Sequence, residues 1–164
     1  MNNIQLDEER LMNFLAECGP ATRIYLGCDS ERVLVNNHWY ADYVLAIVVH
    51  IDGRHGCKIF GEVHRERDFD HKANKPSMRL MNEVYKVAEL YGRVKDLISG
   101  FDHEVHLDIS EDQMNGSSCV VNQAIGYIIG VCQLTPMIKP NAFAASCAAD
   151  RFKSLRPIKL QATA

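Results

Sequence analysis

The spacing of apolar residues switches along this chain between periods of about two and 3.6 residues, which mark strands and helices respectively. From Leu80 to Ile98, apolar residues recur at steps of four and three, which predicts one long amphipathic helix. Residues 39–51 are almost continuously apolar and rich in β-branched side chains, typical of a strand buried on both faces. In chain order, the pattern predicts a helix over 7–18, strands over 23–29, 39–51 and 57–65, a helix over 77–98, a strand over 103–109, a helix over 117–133, a short strand over 137–139 and a helix over 141–154.

This order of elements predicts an α/β fold with a mixed five-stranded sheet flanked by helices. The turn signal Asp52-Gly53 joins two of the first three strands as a hairpin, so these strands are expected to be antiparallel. Helices separate the last two strands, which predicts parallel pairing there. The first and fourth strands are therefore expected to lie side by side and parallel.

Composition narrows the class of protein. The chain has 164 residues, 47% hydrophobic, which suits one globular domain, and its formal charge of −3 argues against wholesale nonspecific nucleic-acid binding. The longest apolar stretch, 119–134, is interrupted by polar residues and is too short to span a bilayer, so no membrane association is expected. No cysteine pair has metal-ligand spacing, and no secretory signal is visible. Reduced cysteines and a cytoplasmic protein are therefore expected.

Two strands that are expected to be parallel neighbours each end in an acid, Asp29 and Asp108. The carboxyl ends of such strands meet at one edge of the sheet, where open α/β sheets bind ligands. Two adjacent carboxylates repel each other unless a cation lies between them, and Mg²⁺ and Mn²⁺ prefer such oxygen ligands. Each acid also has a simpler interpretation as a turn or cap residue.

Two helices supply further acids. Glu83 lies at the edge of the apolar stripe of the long helix, from which its carboxylate reaches toward the sheet. Asp150 follows the alanine-rich stretch 144–149, whose small side chains predict close packing of the last helix and an inward position for Asp150. The competing interpretations are a solvated Glu83 and an Asp150 that pairs on the surface with Arg151 or Lys153.

The placement of these acids on the first strand, a central helix, the fourth strand and the last helix resembles the ribonuclease H-like superfamily. More narrowly, the chain resembles the YkuK-type family of bacterial and phage proteins, which is classed as ribonuclease H-like. The stretches that carry this resemblance are Tyr25-Leu26-Gly27-Cys28-Asp29-Ser30, Val105-His106-Leu107-Asp108-Ile109 and Ile138-Lys139-Pro140-Asn141-Ala142-Phe143-Ala144-Ala145-Ser146. The last is the most distinctive, since Lys-Pro-x-Ala-Phe precedes a helix of small residues.

The resemblance implies a ribonuclease H-like fold and an Asp, Glu, Asp, Asp quartet that binds two Mg²⁺ or Mn²⁺ ions. Carried onto this sequence, the catalytic and metal-binding residues are Asp29, Glu83, Asp108 and Asp150. Two positions depart from the family pattern, because Asn141 stands where an Asp is common and Asp150 stands where an Asn is common. The fourth ligand is therefore either Asp150 or absent, in which case three acids act with Asn141 or Lys139 assisting.

Two metal ions held in this way suit in-line hydrolysis of nucleic-acid phosphodiester bonds, in RNA or DNA. Lys75, Arg79, Lys139 and Asn141 are the candidate substrate-binding residues, and His71 in the polar loop 66–76 is a candidate proton shuttle. The main alternative is a catalytically inactive module that binds nucleic acid or a protein partner, since fold does not fix function. Another phosphoryl-transfer enzyme is a third interpretation.

The boundaries follow from the same pattern. Residues 1–20 form an N-terminal helix that packs on the domain, 21–154 form the ribonuclease H-like domain, and 155–164 form a C-terminal tail. From residue 139 onward there are five basic residues and one acid, which indicates either a phosphate-facing patch or a solvated tail. Gly126 and Gly130 predict close packing of their helix, inside the domain or across a homodimer.

Overall fold

A computed structural model describes residues 3–69, 77–109, 118–145 and 149–154, so the predictions for Lys75 and His71 lie outside the described residues. The predicted helices over 7–18, 77–98 and 117–133 are confirmed to within two residues at each end. The elements are helix α1 (Glu8–Ala16), strands β1 (Arg23–Val35), β2 (His38–His50) and β3 (Cys57–Arg67), helix α2 (Ser77–Ile98), strand β4 (Asp102–His106), helix α3 (Ser118–Cys132) and helix α4 (Ala149–Ser154).

The sheet has the strand order β3-β2-β1-β4. The three strands β1, β2 and β3 pair antiparallel, whereas β4 pairs parallel with β1, with Leu26 beside Val105. The predicted parallel pairing of the first and fourth strands is therefore confirmed. It brings the carboxyl ends of β1 and β4 to the same side of the sheet.

The prediction of a fifth strand over 137–139 is wrong for the described residues, which form a four-stranded sheet. The segment still runs along β4, where the Met137 N–H donates to the Val105 carbonyl at 2.8 Å and the Met137 carbonyl accepts from the Leu107 N–H at 2.9 Å. The pairing of this segment with β4 amounts to an isolated bridge, between His106 and Met137. Pro136 and Pro140 bracket the segment, and proline has no N–H with which to extend a ladder.

The predicted ends of the two acid-bearing strands also shift. Strand β1 continues to Val35 because β2 supplies antiparallel partners along its whole length, and Asp29 pairs with Val44 in the middle of the strand. Strand β4 ends at His106, so Asp108 lies two residues beyond it. Asp29 is thus a strand residue and not a turn residue, which removes the simpler interpretation of its role.

The main hydrophobic core lies between one face of the sheet and helices α1, α2 and α3. The predicted stripe of α2 is confirmed as its buried face, from Leu80 through Ile98. Helix α1 adds Leu11 and Leu15 to this core, and the side chain of its cap Asp7 accepts a hydrogen bond from the Arg10 N–H at 2.9 Å. The cap satisfies one of the backbone donors that the first turn of a helix leaves open.

The opposite face of the sheet is covered by α4 and by the segment that precedes it. A Cβ on Gly27 would lie 2.5 Å from the backbone of Ala144, so only glycine permits this close approach. Phe152 of α4 packs against Val44 and Val63 and holds the helix on the sheet. Because Phe152 takes the inward position, Asp150 is exposed, and its predicted inward orientation is wrong.

The glycines of helix α3 do not mark a close contact within the domain, in contrast to one of the two predicted alternatives. Among the residues that the structure describes, a Cβ added at Gly126 or Gly130 would meet nothing within 4 Å, since both lie on the exposed face of the helix. The prediction of close internal packing there is wrong, and packing across a homodimer stays a prediction. Among the described helices, none combines the length and apolarity needed to cross a membrane.

Candidate functional site

Asp29 and Asp108 both follow the last residue pair of the parallel ladder between β1 and β4. Gly27 of β1 lies beside His106 of the parallel strand β4, and each acid follows two residues further on. Side chains two residues apart in extended backbone point to the same face, so both acids face the same side as Gly27 and His106. Both carboxylates are partly buried. The convergence of these two carboxylates stays a prediction.

Lys139 approaches Asp108 from the segment beside β4. Its backbone N–H donates to the Ile109 carbonyl at 2.9 Å, which fixes the segment next to Asp108. Its Nζ lies 2.7 Å from the Asp108 Oδ1, and the side chain of Asp108 is only 11% exposed while that of Lys139 is 40% exposed. The predicted substrate-binding cation thus contacts a predicted metal ligand and has open solvent on its other side.

Glu83 lies on α2, which packs on the face of the sheet opposite to the one that Asp29 faces, and it contacts β1 through Ser30. It is 3% exposed, so the expectation of a merely solvated glutamate is wrong. The Ser30 hydroxyl donates to its Oε1 at 2.5 Å, which ties the helix to the residue directly after Asp29. Glu83 and Asp108 line one narrow cavity between α2 and the carboxyl end of β4. The site therefore combines residues from β1, α2 and the segment after β4.

Burial has a measurable electrostatic consequence next to Glu83. Burial raises the pKa of the Tyr43 phenol above its ordinary value, a hydrogen bond from Asn82 lowers it by less, and the nearby carboxylates of Glu66 and Glu83 raise it further. The phenol oxygen accepts a hydrogen bond from the Asn82 side chain at 3.2 Å. Tyr43 therefore remains a neutral partner of α2 at physiological pH.

The donor set suits a divalent cation in its chemistry. Carboxylate oxygens are the ligands that Mg²⁺ and Mn²⁺ prefer, and Asp108 already has a positive neighbour in the Lys139 ammonium at 2.7 Å. Within the part of the chain that the structure describes, no three Asp, Glu, His or Cys side chains lie close enough to enclose a metal ion. Asp150, the predicted fourth ligand, is exposed in the first turn of α4.

The predicted phosphate-binding cation Arg79 lies one helical turn before Glu83. It is 8% exposed, and its Nη1 lies 3.9 Å from Asp68 Oδ2. Arg32, two residues after Ser30 on β1, contacts the same carboxylate oxygen at 2.8 Å. Asn141, the other predicted substrate-binding residue, is exposed at the turn after Lys139. Arg79 is therefore part of a buried ionic cluster, while Lys139 and Asn141 face solvent.

One residue of this region was missed as a site residue by sequence reasoning. Ser30 directly follows Asp29, and this position places it on the α2 face of the strand. His106 is a buried imidazole of the same region with both ring nitrogens hydrogen-bonded. It is 1% exposed, its Nε2 lies 2.9 Å from the Glu104 carboxylate, and its Nδ1 accepts from the Ala144 N–H at 3.2 Å.

The fold and this geometry define an α/β protein with a mixed sheet and acidic residues on β1, on α2 and just beyond β4. The family model for ribonuclease H-like proteins matches residues 8–154, which include every described element from α1 to α4. The chain belongs to the ribonuclease H-like family, which agrees with its resemblance to the YkuK-type proteins. Searches of the curated proteins and of the solved structures gave no match.

Proposed function

We propose that this protein is a divalent-metal-dependent nuclease that hydrolyses phosphodiester bonds in RNA or DNA. The observation that carries the proposal is the narrow cavity that both Glu83 and Asp108 line. Asp29 is the proposed third ligand, from β1. Glu83 is nearly fully buried and accepts the Ser30 hydroxyl. Membership in the ribonuclease H-like family supports the same chemistry.

In this proposal Asp29, Glu83 and Asp108 would hold Mg²⁺ or Mn²⁺, with Asp150 as the proposed fourth ligand. When bound, such ions activate water and stabilise the developing charge on the leaving oxygen. Ser30 holds the Glu83 carboxylate in one orientation through its hydroxyl. Orientation matters because a misplaced ligand weakens both binding and catalysis.

Lys139 has two tasks in the proposed reaction. Its ammonium neutralises Asp108 in the free protein, at 2.7 Å. Because it is 40% exposed, it is also accessible to a phosphate oxygen of the substrate strand. Lys75, Arg79 and Asn141 remain proposed substrate-binding residues, of which Asn141 is the exposed one next to Lys139.

The proposal is tested by Mn²⁺ binding and cleavage together. Purified protein should melt at a higher temperature with Mn²⁺, since a ligand that binds the native state stabilises it. Asp29→Asn and Asp108→Asn should each lose most of that rise, whereas Asp96→Asn, on the far end of α2, should keep it. Labelled single-stranded RNA, single-stranded DNA and an RNA–DNA hybrid then report which polymer is cleaved. An equal rise in all variants, with no cleavage of any substrate, would overturn the proposal.

One observation favours a second candidate, a catalytically inactive module that binds nucleic acid. The Lys139 ammonium already supplies a positive charge to Asp108. A lysine in that position stabilises the carboxylate without a metal ion. This candidate predicts no Mn²⁺ effect on melting but retained binding of nucleic acid, and that combination separates it from the nuclease.

A further inference from the structure

Three rings form a cluster on the face of the sheet that carries Asp29 and Asp108. The centroids of Tyr25 and Phe143 are 4.9 Å apart at 68°, those of His106 and Phe143 are 5.0 Å apart at 83°, and those of Tyr25 and His106 are 5.2 Å apart. Edge-to-face contacts of this kind stabilise aromatic pairs and fix their relative orientation. Phe143 is nevertheless 45% exposed, so the cluster presents one ring to solvent.

The support beneath Phe143 is rigid. His106 accepts a hydrogen bond at Nδ1 from the Ala144 N–H, so its Nε2 carries the proton that it donates to Glu104 at 2.9 Å. The backbone of Ala144 also lies against Gly27, where a Cβ would approach to 2.5 Å. The exposed Phe143 ring is therefore held in place, because the next residue, Ala144, is fixed to the sheet at His106 and Gly27. A preorganised surface of this kind loses little conformational entropy when it binds a ligand.

The cluster lies next to the proposed catalytic acids. His106 and Asp108 are two residues apart on the same face, which corresponds to roughly 7 Å in extended backbone. Phe143 follows Lys139 by four residues, and Lys139 contacts Asp108 at 2.7 Å. An exposed aromatic ring, an accessible ammonium and acidic metal ligands thus occur within one short stretch of surface.

We propose that Phe143 stacks on an unpaired nucleobase of the substrate, so that this nuclease acts on single-stranded nucleic acid. The inference rests on the proposed function and names its substrate class. A base that stacks on an aromatic side chain is splayed out of a helix, and stacking of this kind tolerates any base because each has a π face. The phosphate next to the stacked base lies toward Lys139 and Asp108.

The charged residues around the ring cluster determine the path of the bound nucleic-acid strand. Glu104 and Asp102 border the cluster on the side of β4 away from Asp108, together with Arg23 and Tyr25, and they line an open cavity there. Their carboxylates repel a phosphate backbone. The bound strand therefore runs from Phe143 toward Lys139 and does not cross Glu104.

The test measures binding without catalysis, in EDTA, by fluorescence anisotropy of a labelled single-stranded oligonucleotide. Phe143→Ala should weaken binding roughly tenfold, because loss of one stacked base has an effect of this order. Phe143→Trp should bind as tightly as the wild type or more tightly. The dependence of affinity on salt should be unchanged in both variants, since no phosphate contact is removed.

Tyr85→Ala is the matched control. Tyr85 is 40% exposed and packs edge-to-face on Tyr127, with centroids 4.8 Å apart at 67°, on helices α2 and α3. The Tyr85→Ala variant should bind the oligonucleotide with the same affinity as the wild type. A parallel measurement with a blunt duplex should show weaker binding and no effect of Phe143→Ala.

Three results would overturn the inference: equal affinity of Phe143→Ala and wild type, equal losses in Phe143→Ala and Tyr85→Ala, or no binding of the single strand by the wild type. The melting temperatures of all variants show whether a loss of oligonucleotide binding comes from unfolding. If Phe143→Ala unfolds, the affinity of Phe143→Trp tests the stacking, since that variant retains an aromatic ring. Because no metal is present, the outcome is independent of whether the acids bind Mn²⁺. Stacking without cleavage would support this inference while contradicting the nuclease.

Discussion

Two buried glutamates of this protein have different surroundings. Glu62 on β3 is 1% exposed and is bound by Arg93, by His64 at 3.1 Å and by the Leu6 N–H at 3.3 Å. Glu83 on α2 is 3% exposed, accepts the Ser30 hydroxyl and lines a cavity with a second carboxylate, Asp108.

The difference teaches how to separate a structural acid from a candidate ligand. Glu62 connects the N-terminal segment, β3 and α2 through opposite charges and a backbone donor, so its surroundings favour the folded state. Glu83 instead accepts a neutral hydroxyl and lines a cavity with a second acid, Asp108, whose carboxylate is bound by the exposed Lys139. Burial alone does not distinguish the two, whereas the chemistry of the neighbours does.

The largest expected effect on stability tests the comparison between Glu62 and Glu83 directly. Glu62→Gln should lower the free energy of unfolding by about 2–3 kcal/mol, because breaking a buried ion pair is costly and the partial exposure of Arg93 reduces that cost. Glu83→Gln should change it by less than about 1 kcal/mol, because the amide still accepts the Ser30 hydroxyl. Urea denaturation without metal measures both. Equal losses would show that Glu83 is also a structural acid.

The next effect concerns the close contact that supports the site. Gly27→Ala should cost about 2 kcal/mol, because its Cβ would lie 2.5 Å from the Ala144 backbone, which cannot move away as a flexible side chain does. Gly126→Ala is the control, since its Cβ meets nothing within 4 Å and alanine favours a helix by about 1 kcal/mol. Opposite signs in thermal melting are expected. A neutral Gly27→Ala would contradict the tight packing of this segment.

Lys139→Gln tests how the positive charge next to Asp108 affects Mn²⁺ binding. Removing the ammonium 2.7 Å from Oδ1 should raise Mn²⁺ affinity, and a tenfold gain corresponds to a further rise of about 4 °C in melting temperature at saturating metal. Lys58→Gln, whose ammonium lies over the Phe14 ring 5.2 Å away, is the control and should leave Mn²⁺ affinity unchanged. A smaller Mn²⁺ response in Lys139→Gln would mean that Lys139 holds Asp108 in position for the metal.

The smallest expected effect lies in the N-terminal segment that Glu62 binds. Asp7→Ala should lower stability by about 1 kcal/mol, because it removes the acceptor for the Arg10 N–H at the start of α1. Asp7→Asn should retain most of the stability, since asparagine caps helices nearly as well. Chemical denaturation of the three proteins measures the difference, and an unchanged Asp7→Ala would show that the cap contributes nothing.

Much of the fold was predictable because local patterns and tertiary packing agree. The stripe from Leu80 to Ile98 faces the core, and the parallel pairing of β1 with β4 followed from the order of strands and helices. The end of β1 was not predictable, since the polar run Ser30-Glu31-Arg32 interrupts the apolar pattern and continues the strand only because β2 supplies hydrogen-bond partners. The separate strand over 137–139 failed because the flanking prolines limit its ladder.

Part of the predicted site followed from periodicity, since Glu83 is buried at the edge of the α2 stripe as expected. Metal binding by Asp29, Glu83 and Asp108 stays a prediction. The orientation of Asp150 depends on Phe152, which packs inward two residues later, and no local pattern decides which of the two faces the sheet. The hydroxyl of Ser30 on Glu83 joins residues 53 positions apart, a contact that only the tertiary fold creates.

The most direct measurement is the structure of crystals soaked in Mn²⁺, with diffraction data collected at the manganese absorption edge. Our account predicts anomalous density between the carboxylates of Asp29, Glu83 and Asp108, and none there in crystals of Asp108→Asn. Fully occupied manganese found only at other sites, with Lys139 still bound to Asp108, would contradict it.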